Sequence, residues 1–499
     1  MIAALLIALA APAATYHVRP DGGDATQCTG RTDAPYPGSG SAQDCAWSHP
    51  FFALPPGGAP RIAGGDTLAI ANASYMMGLG APGSDACRAD WSWDCHAAAV
   101  PSGPSPDRPT RIVGAGWDTG CAAKPELWGT ERSAFVLDLE KSSNVALQCL
   151  EITDHAACIE HHCENGTCQG EVAACNRDKA PYGRWAAVGV HAAASSNVLL
   201  RDLDIHGMAN RGVLAGGLRD WTVERVSIRA NGWAGWDGDI GERSSNAGSL
   251  VFRHLEVSWN GCAERWPSDE TFACWAQAAG GYGDGFGTAR TGGRFVFEDS
   301  SFHHNTSDGL DLLYMDGTGS VTVRRVFAGG NAGNQLKASG DVAVADSVLV
   351  GDCTALSAER NLRPGDHCRA AGNTLSLALG PQQHARVERS LVQGEGDCTV
   401  LAACADSGCA DARVDLVGNR LEALPNHWRD DPGTCAVYVQ PRFSDLSVAL
   451  TGNRLRGLRG SLTCFMPGVD CSGNEHADGV ARPATGLAAL ASGTDGDAP

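Results

Sequence analysis

Residues 283–337 contain three motifs at nearly constant spacing: Gly-Asp-Gly-Phe-Gly at 283–287, Asn-Thr-Ser-Asp-Gly-Leu-Asp at 305–311 and Asn-Ala-Gly-Asn-Gln-Leu-Lys at 331–337. The aspartate of the first motif precedes the first aspartate of the second by 24 residues, and the last residues of the second and third motifs are 26 apart. Steps of this size that recur along a chain indicate structural repeats that stack on one another. Residues distant in sequence then become neighbours in space.

The chain around these motifs repeats one sequence pattern, an alternating apolar and polar segment followed by a turn rich in Asn and Gly. Examples of the pattern begin at Asn144, Asn197 and Asp220, and it recurs to about Leu455. Alternation with period two marks strands with one buried face, and hairpin dipeptides are missing between them. The predicted fold class is all-β, a single-stranded right-handed parallel β-helix, that is, a solenoid with disulfide-pinned loop insertions.

Four asparagines end strands at corresponding points of successive repeats: Asn231, Asn260, Asn305 and Asn331. Stacked amide side chains can hydrogen-bond from one coil to the next. We therefore predict a structural role for all four.

The sequence predicts four segments. Residues 1–14 form a short apolar run that ends on small residues, typical of a secretory signal peptide. Residues 15–143 are expected to form an N-terminal cap and the first coils, and residues 144–472 the parallel β-helix. Residues 473–499 lose the periodicity and are rich in Ala, Gly and Asp, which predicts a mobile tail.

The net charge of −19 argues against nucleic acid as a partner, because binding phosphates needs clustered Lys and Arg. No segment is long and apolar enough to predict a membrane span. The expected location is secreted, extracellular or periplasmic, and the expected state is a monomer. An acidic protein can still bind an acidic polysaccharide if a divalent cation lies between them, so we expect such a substrate.

The chain contains 20 cysteines, an even number that allows all of them to pair as disulfides in an exported protein. Close pairs predicted to pin surface loops are Cys87 with Cys95, Cys262 with Cys274, and Cys404 with Cys409. The Cys- and His-rich segment 155–175 fits no standard zinc spacing. We predict a disulfide-pinned insertion there, with a zinc site as the alternative.

Aligning the turns by their asparagines predicts two columns of side chains. Asp237, Asp284 and Asp308 fall in the first column, and three residues later Asp311 and Lys337 fall in the second, after Ile240 and Gly287. Carboxylates one strand spacing apart repel each other unless a cation separates them. An oxygen-rich cluster of this kind suits Ca²⁺. The alternative is that Asp and Asn occupy these positions because they favour turns.

Lys337 adds chemistry that a calcium site alone does not need. In a polyuronate, the hydrogen at C5 becomes acidic when a cation neutralises the neighbouring carboxylate. A lysine that has lost its proton can remove this hydrogen while the 4-oxygen leaves, which is β-elimination. The alternative is a lysine that merely forms an ion pair with Asp311 in the adjacent coil.

The motifs Asp284-Gly-Phe, Asn305-Thr-Ser-Asp-Gly-Leu-Asp and Asn334-Gln-Leu-Lys-Ala-Ser-Gly resemble those of the ninth polysaccharide lyase family, pectate lyase-like enzymes on a parallel β-helix. The resemblance implies that Asp284, Asp308 and Asp311 bind Ca²⁺ and that Lys337 is the catalytic base. The family has consecutive aspartates before the glycine, whereas this chain has Ser307-Asp308. Asp237 or Asp239 is a candidate to replace the missing ligand.

Candidate substrate-binding residues surround these columns. Arg243, Arg290 and Arg324 could hold uronate carboxylates through two hydrogen bonds each, although each could equally be a surface charge. Trp236, with Trp233 and Trp259, could offer a flat face to a sugar ring, although packing between coils is as common for such residues.

Together these features predict a secreted, calcium-dependent polysaccharide lyase that cleaves a pectate-like polyuronate. One alternative is a β-helix glycoside hydrolase that uses two of the three aspartates 284, 308 and 311 as acid and base. A second alternative is a non-catalytic surface or carbohydrate-binding protein. The sequence contains no Gly-x-Ser-x-Gly elbow and no His-Glu-x-x-His motif, so serine hydrolases and zincins lack support.

Overall fold

The computed structural model describes residues 13–160, 174–274, 283–316, 319–352, 354, 356, 373–396, 398–425, 435–439, 445–458 and 468–490. The chain forms a right-handed parallel β-helix, as predicted. Each coil contributes strands to three faces of the solenoid. The first and second faces belong to one 23-stranded sheet, and the third face is a 10-stranded sheet.

The first face begins near the N-terminus and extends almost to the last coil, with parallel pairing throughout. Four long strands run through both the first and the second face: Ser143–Asp154, Ser196–His206, Arg219–Arg229 and Ala247–Ser258. The other strands of the first face are Thr15–Gly23, Thr67–Ile70, Thr110–Gly114, Arg294–Glu298, Ser320–Arg324, Asp341–Ala345, His384–Glu388, Ala412–Val417, Leu446–Thr451 and Val469–Ser472.

The second and third faces complete each coil. The second face adds Ser74–Met77, Glu126–Gly129, Ser301–His303, Phe327–Gly329, Val348–Gly351, Leu391–Gly394, Arg420–Ala423, Arg454–Arg456 and Glu475–Ala477. The third face consists of Ser133–Asp138, Ala186–Ala193, Arg211–Gly216, Ala234–Gly238, Phe286–Thr288, Leu310–Leu312, Leu336–Ser339, Leu375–Leu379, Cys398–Cys404 and Cys435–Val439.

Short elements lie outside the three faces. An antiparallel hairpin pairs Cys262–Arg265 with Glu270–Cys274. Turns of 3₁₀ helix occupy Pro50–Phe52, Ala89–Asp94 and Leu487–Leu490. None of the helices in the described part of the chain is long and apolar enough to span a membrane.

A single residue in the left-handed region bends the chain between the first and second faces. In the long strands and their successors this residue has a φ of 48–58°. Asp and other residues with short polar side chains tolerate this conformation better than β-branched residues do. The bend recurs at Cys149, Asp202, Arg225, His254, Asp299, Arg325, Asp346 and Arg389.

The interior of the solenoid is filled by the inward side chains of all three faces. Near the middle it is aromatic: the Trp236 ring lies 5.3 Å from that of Phe286 and 5.5 Å from that of Phe252. Trp236 is 2% exposed. The sequence prediction that Trp236 offers a face to a sugar ring is therefore wrong, because the side chain points into the core.

The asparagine ladder is present. Asn231, Asn260, Asn305 and Asn331 are fully buried, and each side-chain nitrogen of the first three donates to the Oδ1 of the next at 2.8–2.9 Å. The ladder ends on Gln335, whose Oε1 accepts from Nδ2 of Asn331. This arrangement satisfies polar groups that would otherwise be buried without partners, which confirms the predicted structural role.

Strand pairing extends on both sides of the predicted 144–472 segment. Parallel pairing begins at Thr15, and Glu475–Ala477 is the last strand of the second face. Ala481 and Leu487 pack with Val348 and Leu424 on the outside of that face. Residues 1–12 of the predicted signal peptide and residues 491–499 of the predicted tail lie outside the described residues, and the mobility of the tail stays a prediction.

Disulfides pin several loops. The three predicted local pairs, Cys87–Cys95, Cys262–Cys274 and Cys404–Cys409, are confirmed. In the Cys- and His-rich segment, Cys158 pairs with Cys175, which favours the disulfide-pinned insertion over the zinc site; residues 161–173 lie outside the described part. Further pairs within the described residues include Cys28–Cys45, Cys121–Cys149 and Cys398–Cys435.

Candidate functional site

The strand register of the third face defines the column that contains Lys337. Lys337 pairs with Asp311, Asp311 with Gly287, and Gly287 with Asp237. Asp237 therefore belongs to this second column, and its predicted place beside Asp284 and Asp308 is wrong. The spacing from the asparagines shows the same register: Asp237 lies six residues after Asn231, as Asp311 does after Asn305 and Lys337 after Asn331, whereas Asp308 lies three residues after Asn305.

Asp284, Asp308 and Asp311 form a compact acidic cluster, as the sequence predicts. Each offers a carboxylate oxygen, and these oxygens all lie within 4.8 Å of one another. Asp284 is 6% exposed and Asp308 is 1% exposed, whereas Asp311 is half-buried. Three carboxylates at this separation in a largely buried site repel one another, so a positively charged group bound among them would stabilise the site.

Backbone amides fix the orientation of the carboxylates. The amide of Asp308 donates to Oδ1 of Asp284 at 3.0 Å, and the amide of Asn334 donates to Oδ1 of Asp308 at 2.6 Å. The amide of Leu313 donates to Oδ1 of Asp311 at 3.2 Å. At Gly333, a Cβ atom would lie 2.1 Å from Oδ1 of Asp308, so this position requires glycine. The cluster is therefore held rigidly by adjacent coils.

Ser307 occupies the place where the resembled family has a further aspartate. It is fully buried, and its hydroxyl hydrogen-bonds the Asp284 carboxylate, which acts to lower the pKa of that carboxyl. The serine thus supports a member of the cluster but supplies no charge of its own.

Lys337 lies directly against the cluster. Its Nζ is 2.5 Å from Oδ2 of Asp308 and 3.2 Å from Oδ2 of Asp311, and the side chain is 17% exposed. Burial on its own would lower the pKa of Lys337, but the charges of Asp308 and Asp311 outweigh it and raise the pKa above the ordinary value. Without another cation present, Lys337 carries its proton.

The pKa values of two of the acidic partners are raised above the value of an exposed carboxyl group. Burial, and then the charge of Asp308, raise the pKa of Asp284 to about 7. Burial also raises the pKa of Asp311, against the opposing effect of the Lys337 ammonium. One lysine therefore does not balance the negative charge that these three side chains can carry.

A cavity of about 760 Å³ opens beside Lys337. Arg290 and Tyr314 line it together with Asn334 and Ser376, and the disulfide-bonded Cys404 lies farther along the third face. Tyr314 is 57% exposed. The cavity thus offers a basic group, a flat ring and hydrogen-bonding side chains next to the lysine, a combination that suits a sugar chain.

The remaining predicted residues lie elsewhere. Arg324 is exposed at the end of Ser320–Arg324 on the first face, so its predicted place near the site is wrong. Arg243 is exposed in the loop after Ala234–Gly238 and does not line the cavity beside Lys337. Asp237 is outside the cluster, because its carboxylate binds the guanidinium of Arg211. Arg290 is the predicted arginine that does line the cavity.

Sequence reasoning missed Tyr314 and the role of Asn334. Tyr314 follows the strand Leu310–Leu312 by two residues, and its backbone carbonyl accepts from the amide of Thr291 at 2.9 Å. Its position just after an aspartate of the second column is a signal that could have identified it. The signal for Asn334 was its alignment with Asp308, whose carboxylate it binds through the backbone.

The fold and site thus define a right-handed parallel β-helix with an acidic cluster and a buried lysine on its third face. No protein-family model and no curated protein sequence matches the chain. Among solved structures, it is similar to the pectate lyase Pel9A, with 12% identity and a TM-score of 0.40 over 93% of this chain and 80% of the other.

Two further solved structures are similar to the chain. The A-module of the mannuronan C-5 epimerase AlgE6 from Azotobacter vinelandii has 10% identity and a TM-score of 0.43, over 82% of this chain and 90% of the other. An alginate lyase from Paenibacillus has 12% identity and a TM-score of 0.33, over 83% and 93%. At such identities and scores, these likenesses assign no activity to the chain.

Proposed function

We propose that this protein is a secreted, calcium-dependent polysaccharide lyase that cleaves a pectate-like polyuronate by β-elimination. The observation that carries the proposal is the contact of Lys337 with the cluster of Asp284, Asp308 and Asp311 at the edge of a cavity. Groups whose pKa values are perturbed by burial and by a charged partner cluster at functional sites, and Lys337 joins such a cluster to the cavity.

The donor set fits Ca²⁺. The three aspartates supply only oxygen ligands, their atoms lie within 4.8 Å of one another, and burial with mutual repulsion raises the pKa of Asp284 to about 7. Hard divalent cations prefer oxygen ligands of this type. Bound there, Ca²⁺ would neutralise a uronate carboxylate and make the hydrogen at C5 more acidic.

Lys337 is the proposed base. Once the aspartates ligate a cation, their charge no longer holds the proton on Nζ, and the burial of the side chain then lowers the pKa of Lys337. The neutral amine takes the C5 proton, and the electron pair of the C5–H bond forms the C4–C5 double bond. The bond from C4 to the glycosidic oxygen breaks, and this oxygen leaves with the bonding pair and takes a proton from water. Arg290 is positioned in the cavity wall to hold a further carboxylate of the polymer.

A glycoside hydrolase is less well supported by the geometry. Its acid and base must face the substrate, whereas Oδ1 of Asp308 accepts from the amide of Asn334 and Oδ2 binds Lys337. Asp284 is buried and accepts from the amide of Asp308. Both oxygens of Asp308 and one oxygen of Asp284 are therefore already engaged by donors, which suits ligands held for a cation better than a general acid and base.

The test is a product assay on the purified protein with Ca²⁺ and a panel of polygalacturonate, alginate and glucuronan. A lyase releases unsaturated sugars that absorb ultraviolet light, and chelation of Ca²⁺ abolishes the release. Saturated reducing ends that persist in chelator would instead identify a hydrolase. A protein that turns over none of these polymers contradicts the proposal and leaves the non-catalytic alternative.

A further inference from the structure

A second feature lies on the second face, away from Lys337, and consists of three stacked rings. His155 lies between Trp128 and Trp266, with centroid distances of 4.0 Å and 4.1 Å and interplanar angles of 12° and 25°. The His155 side chain is 6% exposed, and its Nε2 is 2.7 Å from Oε1 of Glu126. Trp266 is the outermost ring of the stack and is 43% exposed.

Trp266 is carried by a rigid support. It follows the strand Cys262–Arg265 at the tip of the hairpin, and a disulfide between Cys262 and Cys274 closes the base. The hairpin is anchored to the second face by Glu264, whose Oε1 is 2.7 Å from Nδ1 of His206. The other Glu264 oxygen accepts from Arg229 at 2.8 Å.

A large apolar ring that is exposed to solvent and held in one orientation can bind a ligand at a low entropic cost, because the side chain loses little conformational freedom on binding. One side of the Trp266 ring is covered by His155, and the exposed part faces outward. Flat indole faces suit the apolar C–H faces of sugar rings, and nearby carboxylates can accept from the sugar hydroxyls. Asp269 and Glu270, whose side chains are 52% and 60% exposed, supply such acceptors beside Trp266.

The charges around Trp266 indicate which saccharide it takes. Besides Asp269 and Glu270, Glu126 and Glu151 lie on the same face. The arginines near the stack are already engaged by partners: Arg265 lies 3.7 Å from Glu270, and Arg229 binds Glu264 and lies 3.6 Å from Asp269. Arg184 lies 6.0 Å from the Trp128 ring, on the inner side of the stack. A uronate would meet repulsion from these carboxylates, whereas an uncharged sugar would not.

We propose that Trp266 is the platform of a second saccharide-binding site, which binds an uncharged polysaccharide on the second face. This site is separate from the acidic cluster on the third face and does not depend on catalysis by Lys337. It would hold the protein on a matrix that contains both neutral and acidic polymers.

The test is native gel electrophoresis in which xyloglucan, galactomannan, hydroxyethylcellulose or polygalacturonate is embedded in the gel. The wild-type protein is expected to be retarded by at least one neutral polymer, and Trp266→Ala is expected to weaken that binding by roughly tenfold. Trp266→Phe keeps a ring at this position and should retain part of the retardation. Far-UV circular dichroism and thermal unfolding establish that each variant is folded.

Two controls match the experiment. Trp91 is similarly exposed, at 49%, but lies outside the stack, so Trp91→Ala should be retarded like the wild type. Lys337→Ala should also be retarded normally, because it alters the third face. The proposal is overturned if no neutral polymer retards the wild type, if Trp266→Ala is retarded equally, or if Trp91→Ala loses as much. A Trp266→Ala protein that melts at lower temperature but binds normally would show that the ring only shields His155.

Discussion

Lys337 and Asp308 form a nearly buried ion pair, with 2.5 Å between Nζ and Oδ2. The same carboxylate is a proposed ligand of Ca²⁺, so the ammonium and the metal ion compete for one oxygen atom. Because the ion pair raises the pKa of Lys337, the amine becomes a base only when a cation takes over the carboxylate. In the proposed mechanism, metal binding and activation of the base would be coupled through this single side chain.

Replacement of Lys337 by alanine is expected to reduce lyase turnover by about 10²–10⁴-fold, because proton abstraction loses its base. The measurement is the ultraviolet absorbance of unsaturated products at saturating Ca²⁺ and substrate. Lys141→Ala is the matched control, since this lysine is 70% exposed on the surface and should leave turnover unchanged. Full activity of Lys337→Ala would remove the base from the proposed mechanism.

Binding of Ca²⁺ is expected to stabilise the protein through the acidic cluster. At a concentration 100 times Kd it contributes about 2.7 kcal/mol, which a thermal unfolding scan records as a rise of a few degrees in Tm. Asp308→Asn should abolish most of this rise, because it removes a central ligand. Asp237→Asn should retain it, since Asp237 binds Arg211 outside the cluster. An equal loss in both variants would contradict the assignment of ligands.

The sequence predicted the acidic cluster because the three motifs follow one another from Asp284 to Lys337 without a long insertion. Asp284, Asp308 and Asp311 therefore kept the register that was counted between these motifs. Asp237 was misplaced by three residues, because it was aligned with Asp308 although it lies six residues after its asparagine and Asp308 lies only three after its own. The spacing from Asn231 alone would have placed Asp237 with Asp311 and Lys337.

The direction of single side chains was harder to predict. Trp236 lies in a strand with buried residues on both sides, Ala234–Gly238, so alternation did not show that its ring faces the core. Arg324 lies at a corner on the first face, and its distance from the site follows from the three-sided coil rather than from the sequence. Tyr314 was missed because it lies in the short turn segment beyond its strand.

Tyr314 is expected to bind a sugar ring next to Lys337. Its neighbour Met315 is fixed by a hydrogen bond of 2.6 Å from its amide to Oγ of Ser339, so the backbone that carries Tyr314 is anchored at the cavity. Tyr314→Ala should raise KM by about tenfold while kcat changes little, as expected when binding energy is lost equally in the ground and transition states. Tyr314→Phe keeps the ring and should stay near the wild type. An unchanged KM in the alanine variant would exclude a contact with substrate.

The asparagine ladder is expected to contribute strongly to stability. Asn305→Ala removes the acceptor for both the backbone amide and Nδ2 of Asn260 and leaves these groups buried without a partner. The expected cost is about 2–3 kcal/mol of unfolding free energy, measured by denaturant unfolding. The control is Asn72→Ala, at an exposed position, which should change stability by less than about 0.5 kcal/mol. Equal effects at both positions would argue against the ladder.

His206 is expected to make stability depend on pH. Burial alone would lower its pKa, but hydrogen bonds to Glu151 and Glu264 raise the pKa to about 10, above the value of about 6.5 for an unfolded chain. The stabilisation by the imidazolium is therefore fully present below pH 6.5 and is lost as the pH rises toward 10.

The Tm of the wild type should exceed that of His206→Gln most at pH 6, and the difference should shrink steadily up to pH 10. His384→Gln, in a half-exposed ion pair with Asp415, should differ little from the wild type at any pH. A gap between wild type and His206→Gln that widens with pH would mean that His206 is held as the neutral imidazole, which could donate to only one of Glu151 and Glu264.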